Sequence, residues 1–240
     1  MSRDEQLFAA KWDQFVRLRQ TQDSLVMERQ GWRRLLLLPY VAFIIPIEDA
    51  AAIAQLVGWQ TALRPWFQYD PQPSDRFHIT LHYVGDFAAS PWMAWLPHTW
   101  RRGAIARLAG RAQKALESRA PFDVRIGPLN ALVSALIAEA RDDDGECLRA
   151  LRLGLRRSLP LRARPPSRWA FLPHVTLGYW GDQPVAPLVE ALRPFREVEP
   201  MTLTVNTVRL TIYTRDPTPY RRDVLHTAQE EIIAEYRLRP

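Results

Sequence analysis

The sequence predicts an α+β protein whose strands pair mainly antiparallel. Segments that read as strands adjoin with no helix between them, as at 122–126 and 131–140. Strands and helices alternate only twice, too seldom for a doubly wound parallel sheet. Two ten-residue strand-and-turn segments, FHITLHYVGD at 77–86 and PHVTLGYWGD at 173–182, repeat one another.

The elements follow in order. Leu7, Phe8, Trp12, Phe15 and Leu18 recur at helical spacing, so 4–20 is a helix, with Ser2 as its cap and Asp4 and Glu5 in its first turn. Residues 21–34 are polar and form a connection. YVAFIIPI at 40–47 is β-branched and aromatic, hence a strand. A helix over 48–57 opens on Glu48 and Asp49, where the helix dipole favours negative charge. The Pro- and Gln-rich stretch 59–75 is a loop, and 77–84 is a strand ending at Gly85-Asp86. Residues 87–100, with Trp92, Trp95 and Trp100, are irregular. A helix at 103–119 precedes two strands joined around Gly127-Pro128, then a turn at 142–145 and a basic helix at 146–158. The Arg-rich loop 160–168 leads into a strand at 169–179, a short helix at 185–193 and a long or bulged strand at 201–214; the last stretch, 230–237, reads as strand or helix, with strand preferred.

Composition narrows the function classes. The net charge is +6, and only Lys11 and Lys114 are lysines, so arginine carries nearly all the positive charge. Arginine's planar fork matches phosphate oxygens in pairs, which fits an anionic partner such as nucleic acid. The one cysteine, Cys147, rules out an internal disulfide and a thiolate metal cluster. The charged start MSRDEQ is no signal peptide. The apolar run 35–47 is short and holds Pro39 and Pro46, so it is no membrane span. A monomer in the cytoplasm, with no membrane partner, is the expectation.

The repeat carries the chemistry. Six of its ten positions are identical, and they include two of the chain's five histidines. Alternate strand residues share a face, so His78 lies with Thr80 and His174 with Thr176, opposite an apolar set. Tyr83 and Tyr179 fall on the apolar side if the strands stay regular. Two such strands facing one another put two imidazoles and two hydroxyls into one cleft. One imidazole can take a proton from an attacking water or hydroxyl while the other gives one to the leaving oxygen, because the ring titrates at ~6.5. The hydroxyls can donate to phosphoryl oxygens as charge builds there. Neither a metal nor another cofactor is required by this scheme.

The paired His-x-Thr segments resemble the signature of the 2H phosphoesterase superfamily, which includes RNA 2′,3′-cyclic phosphodiesterases historically called 2′–5′ RNA ligases. The strand YVAFIIPI, the segment PFDVRIGPLNALVSALIAEA, Pro173 before the second histidine and the spacing of 96 residues (174 − 78) add to the likeness. It spans residues 38–214. Many of those phosphodiesterases carry an arginine shortly after the second motif, where this chain has Tyr179. The resemblance implies a bilobal fold of two mainly antiparallel sheets with pseudo-twofold symmetry and helices outside. Here residues 1–35 add a helical extension to a single phosphoesterase domain at 36–240. It implies His78 and His174 as catalytic residues and Thr80 and Thr176 as phosphate-binding residues.

The expected activity is hydrolysis of 2′,3′-cyclic phosphates of RNA ends or small nucleotides, with reverse 2′–5′ ligation as a companion reaction. His174 is assigned as base and His78 as acid. Cleavage of 2′–5′ oligoadenylates or trimming of RNA ends is the rival reaction, and a nucleotide- or RNA-binding module without turnover is the rival from another class. His82, Arg168 and Trp180 are candidate substrate contacts. The arginines at 156, 157, 162, 164 and 168 form a candidate phosphate track. His98 and His226 are read as surface residues.

Overall fold

Nine strands form one curled, predominantly antiparallel sheet in the computed structural model, which describes residues 2–21, 39–67, 71–88, 99–132, 135–142, 146–163, 171–180, 184–214 and 229–239. In chain order the described strands are β1 (Tyr40–Pro46), β2 (His78–Phe87), β3 (Thr99–Trp100), β4 (Phe122–Ala131), β5 (Ala135–Arg141), β6 (His174–Tyr179), β7 (Met201–Val205), β8 (Thr207–Thr214) and β9 (Gln229–Arg237). The helices are α1 (Arg3–Thr21), α2 (Ala50–Ala62), α3 (Arg102–Glu117), α4 (Cys147–Ser158) and α5 (Val185–Leu192).

The sheet order β7-β4-β5-β6-β2-β1-β8-β9 is a palindrome of roles. Reading outward from the centre, β6-β5-β4-β7 matches β2-β1-β8-β9, and every pair within each half is antiparallel. The two expected sheets are therefore halves of one sheet, joined where Ile79 of β2 bridges Val175 of β6. The short β3 runs parallel to the end of β2.

The alternation of β1 shows how the two faces divide. Val41, Phe43 and Ile45 enter the main core, which also holds Ile105, Leu108 and Leu116 of α3 and Leu148, Leu151 and Leu155 of α4. Ala42 and Ile44 point the other way and cluster under Tyr213 and Tyr40. Asp49 caps α2 by accepting a hydrogen bond from the Ala52 amide at 2.8 Å. Gln60 of α2 donates to the Gln72 and Leu177 carbonyls at 2.8 and 2.7 Å, tying that helix to β6.

Several sequence expectations change in detail. The helix expected at 48–57 runs on to Ala62, and the segment after it holds two short 3₁₀ turns. The break expected at Gly127-Pro128 is a bend inside one strand: β4 loses register there and resumes with Leu129 opposite Ala138. Gly127 has φ 107°, and an added Cβ would lie 3.2 Å from the Trp59 ring. The long strand expected at 201–214 is two strands parted by Asn206. β7 pairs with β4 in one half and β8 with β1 in the other. A one-residue link between strands so far apart in sheet order requires the sheet to curl until its ends lie side by side. A cavity of about 370 Å³ between Ile45–Asp49 and Thr202–Thr207 marks that meeting.

Helix α1 begins with a capping box. The Glu5 amide donates to Ser2 Oγ at 3.2 Å, and the Ser2 amide donates back to Glu5 Oε2 at 2.6 Å. Phe8 and Phe15 are both buried. Phe8 packs with Ala135 and Ile137 of β5 and against Leu172 and Tyr179. Burying such a ring contributes about 2–3 kcal/mol, far more than the exposed i,i+4 pairs of an isolated helix. Asn130 donates to the Phe8 carbonyl at 3.0 Å, Arg149 pairs with the buried Asp4, and Arg196 lies over the Trp12 ring at 5.2 Å. No described helix is long and apolar enough to cross a membrane. The connection expected at 21–34 and the tryptophans at 92 and 95 lie outside the described residues, as does most of the turn expected at 142–145.

Candidate active site

Both His-x-Thr segments sit on the two central strands, and the bridge between those strands sets their relation. With Ile79 opposite Val175 and the strands antiparallel, His78 falls beside Thr176 and Thr80 beside His174. All four side chains are half-buried, on the face opposite the helix-packed core.

The two histidines are held alike. Nδ1 of His78 is 2.9 Å from the Arg76 carbonyl oxygen, and Nδ1 of His174 is 2.7 Å from that of Leu172. A carbonyl only accepts, so each Nδ1 carries its proton and donates. That assignment leaves each Nε2 as the atom that takes or gives a proton. Burial lowers both values, His78 to about 4; the carbonyl bond opposes the shift, and His174 adds to it at His78.

Their wider surroundings differ. The Tyr213 hydroxyl lies 3.3 Å from Nδ1 of His78, and the two rings stack at 5.4 Å. Tyr213 also stacks on Tyr40 at 4.8 Å and stands opposite Glu230, its cross-strand partner on β9. Beside His174 stands Glu139, its register partner on β5. Glu139 is buried, accepting from Asn130 at 2.7 Å and from Arg196 at 2.5 Å. Among the described residues, no three His, Cys, Asp or Glu side chains converge on a common point as a metal site requires.

A bulge, repeated in both halves, reshapes the expected faces. In β2 the register with β1 passes from Thr80 to His82, skipping Leu81; in β6 the register with β5 passes from Thr176 to Gly178, skipping Leu177. After each bulge the alternation inverts. Tyr83 and Tyr179, expected in the core, stand instead half-buried on the histidine face. His82, expected to share that face as a substrate contact, turns into the core, where its Nε2 meets the Ala163 carbonyl at 2.7 Å. Gly178 takes the matching place in β6, because a Cβ there would come within 2.7 Å of the Phe67 ring.

Trp180 is also corrected. It is fully buried, stacks on Phe67 at 5.6 Å and donates to the Leu132 carbonyl at 3.1 Å. It supports the bulge and is closed to a ligand. Arg168, Arg164, His98 and His226 lie outside the described residues. Arg162 is used structurally, over the Trp100 ring at 4.0 Å. Tyr213 was missed because no local pattern links it to His78, 135 residues earlier.

The family model of the 2′-5′ RNA ligase superfamily matches residues 49–217, a span that holds both His-x-Thr segments. The chain belongs to the 2′-5′ RNA ligase superfamily. Its fold is similar to that of Escherichia coli LigT complexed with 3′-AMP, with a TM-score of 0.56 and 17% identity over 84% of this chain and 98% of that one. TT0787 of Thermus thermophilus gives 0.54 at 20% identity, over 83% and 97%. The conserved protein of unknown function ATU0111 from Agrobacterium tumefaciens gives 0.51 at 12% identity, over 81% and 84%. No curated protein matches in sequence. At such identities the likeness is one of architecture, and this superfamily member's chemistry must be argued from its own residues.

Proposed function

We propose that the chain is a phosphodiesterase that opens 2′,3′-cyclic phosphates at RNA ends or in small nucleotides, as a monomer in the cytoplasm. The observation that carries this reading is the placement of His78 and His174 on adjacent strands of one face, each with Nδ1 engaged by a backbone carbonyl.

Water attacks the phosphorus while an Nε2 takes its proton. The bond to one ribose oxygen breaks, and the other Nε2 supplies the proton that this oxygen needs. The product is a phosphomonoester beside a free hydroxyl. Thr80 and Thr176 donate to the non-bridging oxygens as their charge grows. The low proton affinity of His78 suits the base, neutral before attack, and this reverses the assignment expected from sequence. His174 is then the acid, its protonated form favoured once an anionic phosphate lies against it. Superfamily membership and the 3′-AMP complex of LigT support a nucleotide ligand.

The test is a panel of 2′,3′-cyclic mononucleotides, an oligoribonucleotide with a 2′,3′-cyclic end and 2′–5′-linked oligoadenylates, each assayed with EDTA. Turnover of cyclic phosphates that is lost in both His78→Ala and His174→Ala is the expected result. Turnover confined to the 2′–5′ linkages would replace the proposed reaction. Tight binding without turnover of any member would make the chain a binding module.

A further inference from the structure

The two halves of the active-site face are alike in backbone and unlike in what covers them. On the β4-β5-β6 half, Phe8 of α1 packs over Ala135, Ile137 and Tyr179, and Glu139 is enclosed by Asn130 and Arg196. On the β8-β1-β2 half, Ile44 stands where Ile137 stands, because it pairs with Thr80 as Ile137 pairs with Thr176. There a cavity of about 260 Å³ opens directly beside His78. Ile44, Pro46 and Ile53 form its apolar walls, and Asp75, Arg76 and Glu230 are among its polar lining.

One residue that lines this cavity carries an atom in need of a partner. Nη1 of Arg76 is buried and has no hydrogen-bond acceptor among the described residues. A buried, unsatisfied donor on a cation is costly, and a ligand acceptor would relieve it. Arg209 is not in that position: Glu48 and Glu235 hold it at 2.5 and 2.8 Å. A second phosphate is a poor occupant, since Asp75, Glu230 and Glu48 line the same space. A flat, neutral heterocycle with acceptors on one edge and donors on another suits it better.

We propose that this cavity is the nucleobase subsite and that it prefers guanine at the 2′,3′-cyclic end. The inference rests on the reaction proposed above. Guanine offers O6 and N7 to the Arg76 guanidinium, while its N1–H and N2–H groups face the carboxylates of Glu230 and Asp75. Its ring fills the slot between Ile44, Pro46 and Ile53. Because α1 already fills the matching face of the other half, the terminal nucleoside has this side to occupy, next to His78.

The test compares kcat/KM for 2′,3′-cyclic GMP, AMP, CMP and UMP with the full chain, together with calorimetric binding of 3′-GMP and 3′-AMP. Guanine is expected to exceed each other base by at least about tenfold, the scale set by a buried hydrogen-bonding pair. Arg76→Met keeps the backbone carbonyl that holds His78. It is expected to raise KM for the guanine substrate about tenfold and to change the others by less than about threefold. Four equal values of kcat/KM, or an equal loss on all four in Arg76→Met, would overturn the base subsite and leave the phosphodiesterase reading intact. Absence of turnover on all four would overturn the reaction. In that case tighter binding of 3′-GMP than 3′-AMP, abolished by Arg76→Met, would still support the subsite, and equal binding would remove it.

Discussion

The Tyr213 hydroxyl stands 3.3 Å from Nδ1 of His78, with the two rings stacked at 5.4 Å. The Nδ1 proton already points to the Arg76 carbonyl, so the tyrosine oxygen is its second acceptor, and Glu230 stands across the strand pair from the tyrosine. This arrangement favours the imidazolium that forms when His78 takes a proton. In the proposed reaction Tyr213 is a positioning residue that acts through His78. In Tyr213→Phe we expect kcat to fall by up to about tenfold with KM little changed. The ascending limb of the pH–rate profile should move to lower pH. An unchanged profile would leave Tyr213 a packing residue.

Removing either imidazole tests the acid–base pair itself. His78→Ala and His174→Ala should each lower turnover by about 10² to 10⁴ while the circular dichroism spectrum stays that of the parent. Near-normal turnover in either variant would end the mechanism.

The direction of the histidine shifts sets the pH dependence. With the free-enzyme value of His78 at about 4 and that of His174 below 6.5, kcat/KM should peak on the acid side of 6.5. Stability should respond in the same window. The unfolded chain accepts a proton on each histidine as pH falls through the ordinary value, and the folded chain resists it. The contribution is therefore whole above about 6.5 and is lost progressively as pH falls towards about 4. Urea midpoints measured across that range should decline on acidification, and less steeply in His78→Asn. A flat midpoint would contradict the buried, neutral state.

Gly178 tests the bulge. In Gly178→Ala the new methyl meets the Phe67 ring at 2.7 Å, and Phe67 is itself stacked on Trp180. We expect a loss of about 1–3 kcal/mol in urea unfolding. Gly103, with nothing within 4 Å of its added Cβ, lies inside α3, where alanine should be neutral or stabilising. Equal effects at the two positions would mean that Phe67 yields freely.

Phe8 tests the cover over the second half. Phe8→Ala should cost about 3–5 kcal/mol if α1 is integral to the fold, measured by the same urea titration. A loss below about 1 kcal/mol would show a helix that is only loosely seated.

What was legible in the sequence divides by range. The two histidines and two threonines could be read because a ten-residue pattern occurs twice, and strand periodicity put each pair on one face. The Ser2 cap of α1 and the strand at 40–47 were equally local. The tyrosines went astray because one inserted residue, Leu81 or Leu177, inverts the side chains that directly follow it, and a bulge leaves no mark in a hydrophobic run. His82 and Trp180 misled for the same reason: each looks like a ligand group, and each is used to fill the core behind the bulge. The break at Asn206 was hidden because MTLTV and TVRLT are alike, each with two threonines, a leucine and a valine, and part only in which distant strand receives them.

The palindromic sheet also has a consequence for the order of assembly. Residues 122–205 supply β4 to β7 without interruption, so that half can gather from neighbouring segments. The other half must bring β1 and β2 to β8 and β9 across the whole of the first, a closure over far longer stretches of chain. On a ribosome, His78 emerges early and yet waits for Tyr213 and Glu230, which are made near the end. The candidate site is therefore incomplete until the last strands dock, and a chain cut short before Tyr213 keeps both histidines without the ring that stacks on His78.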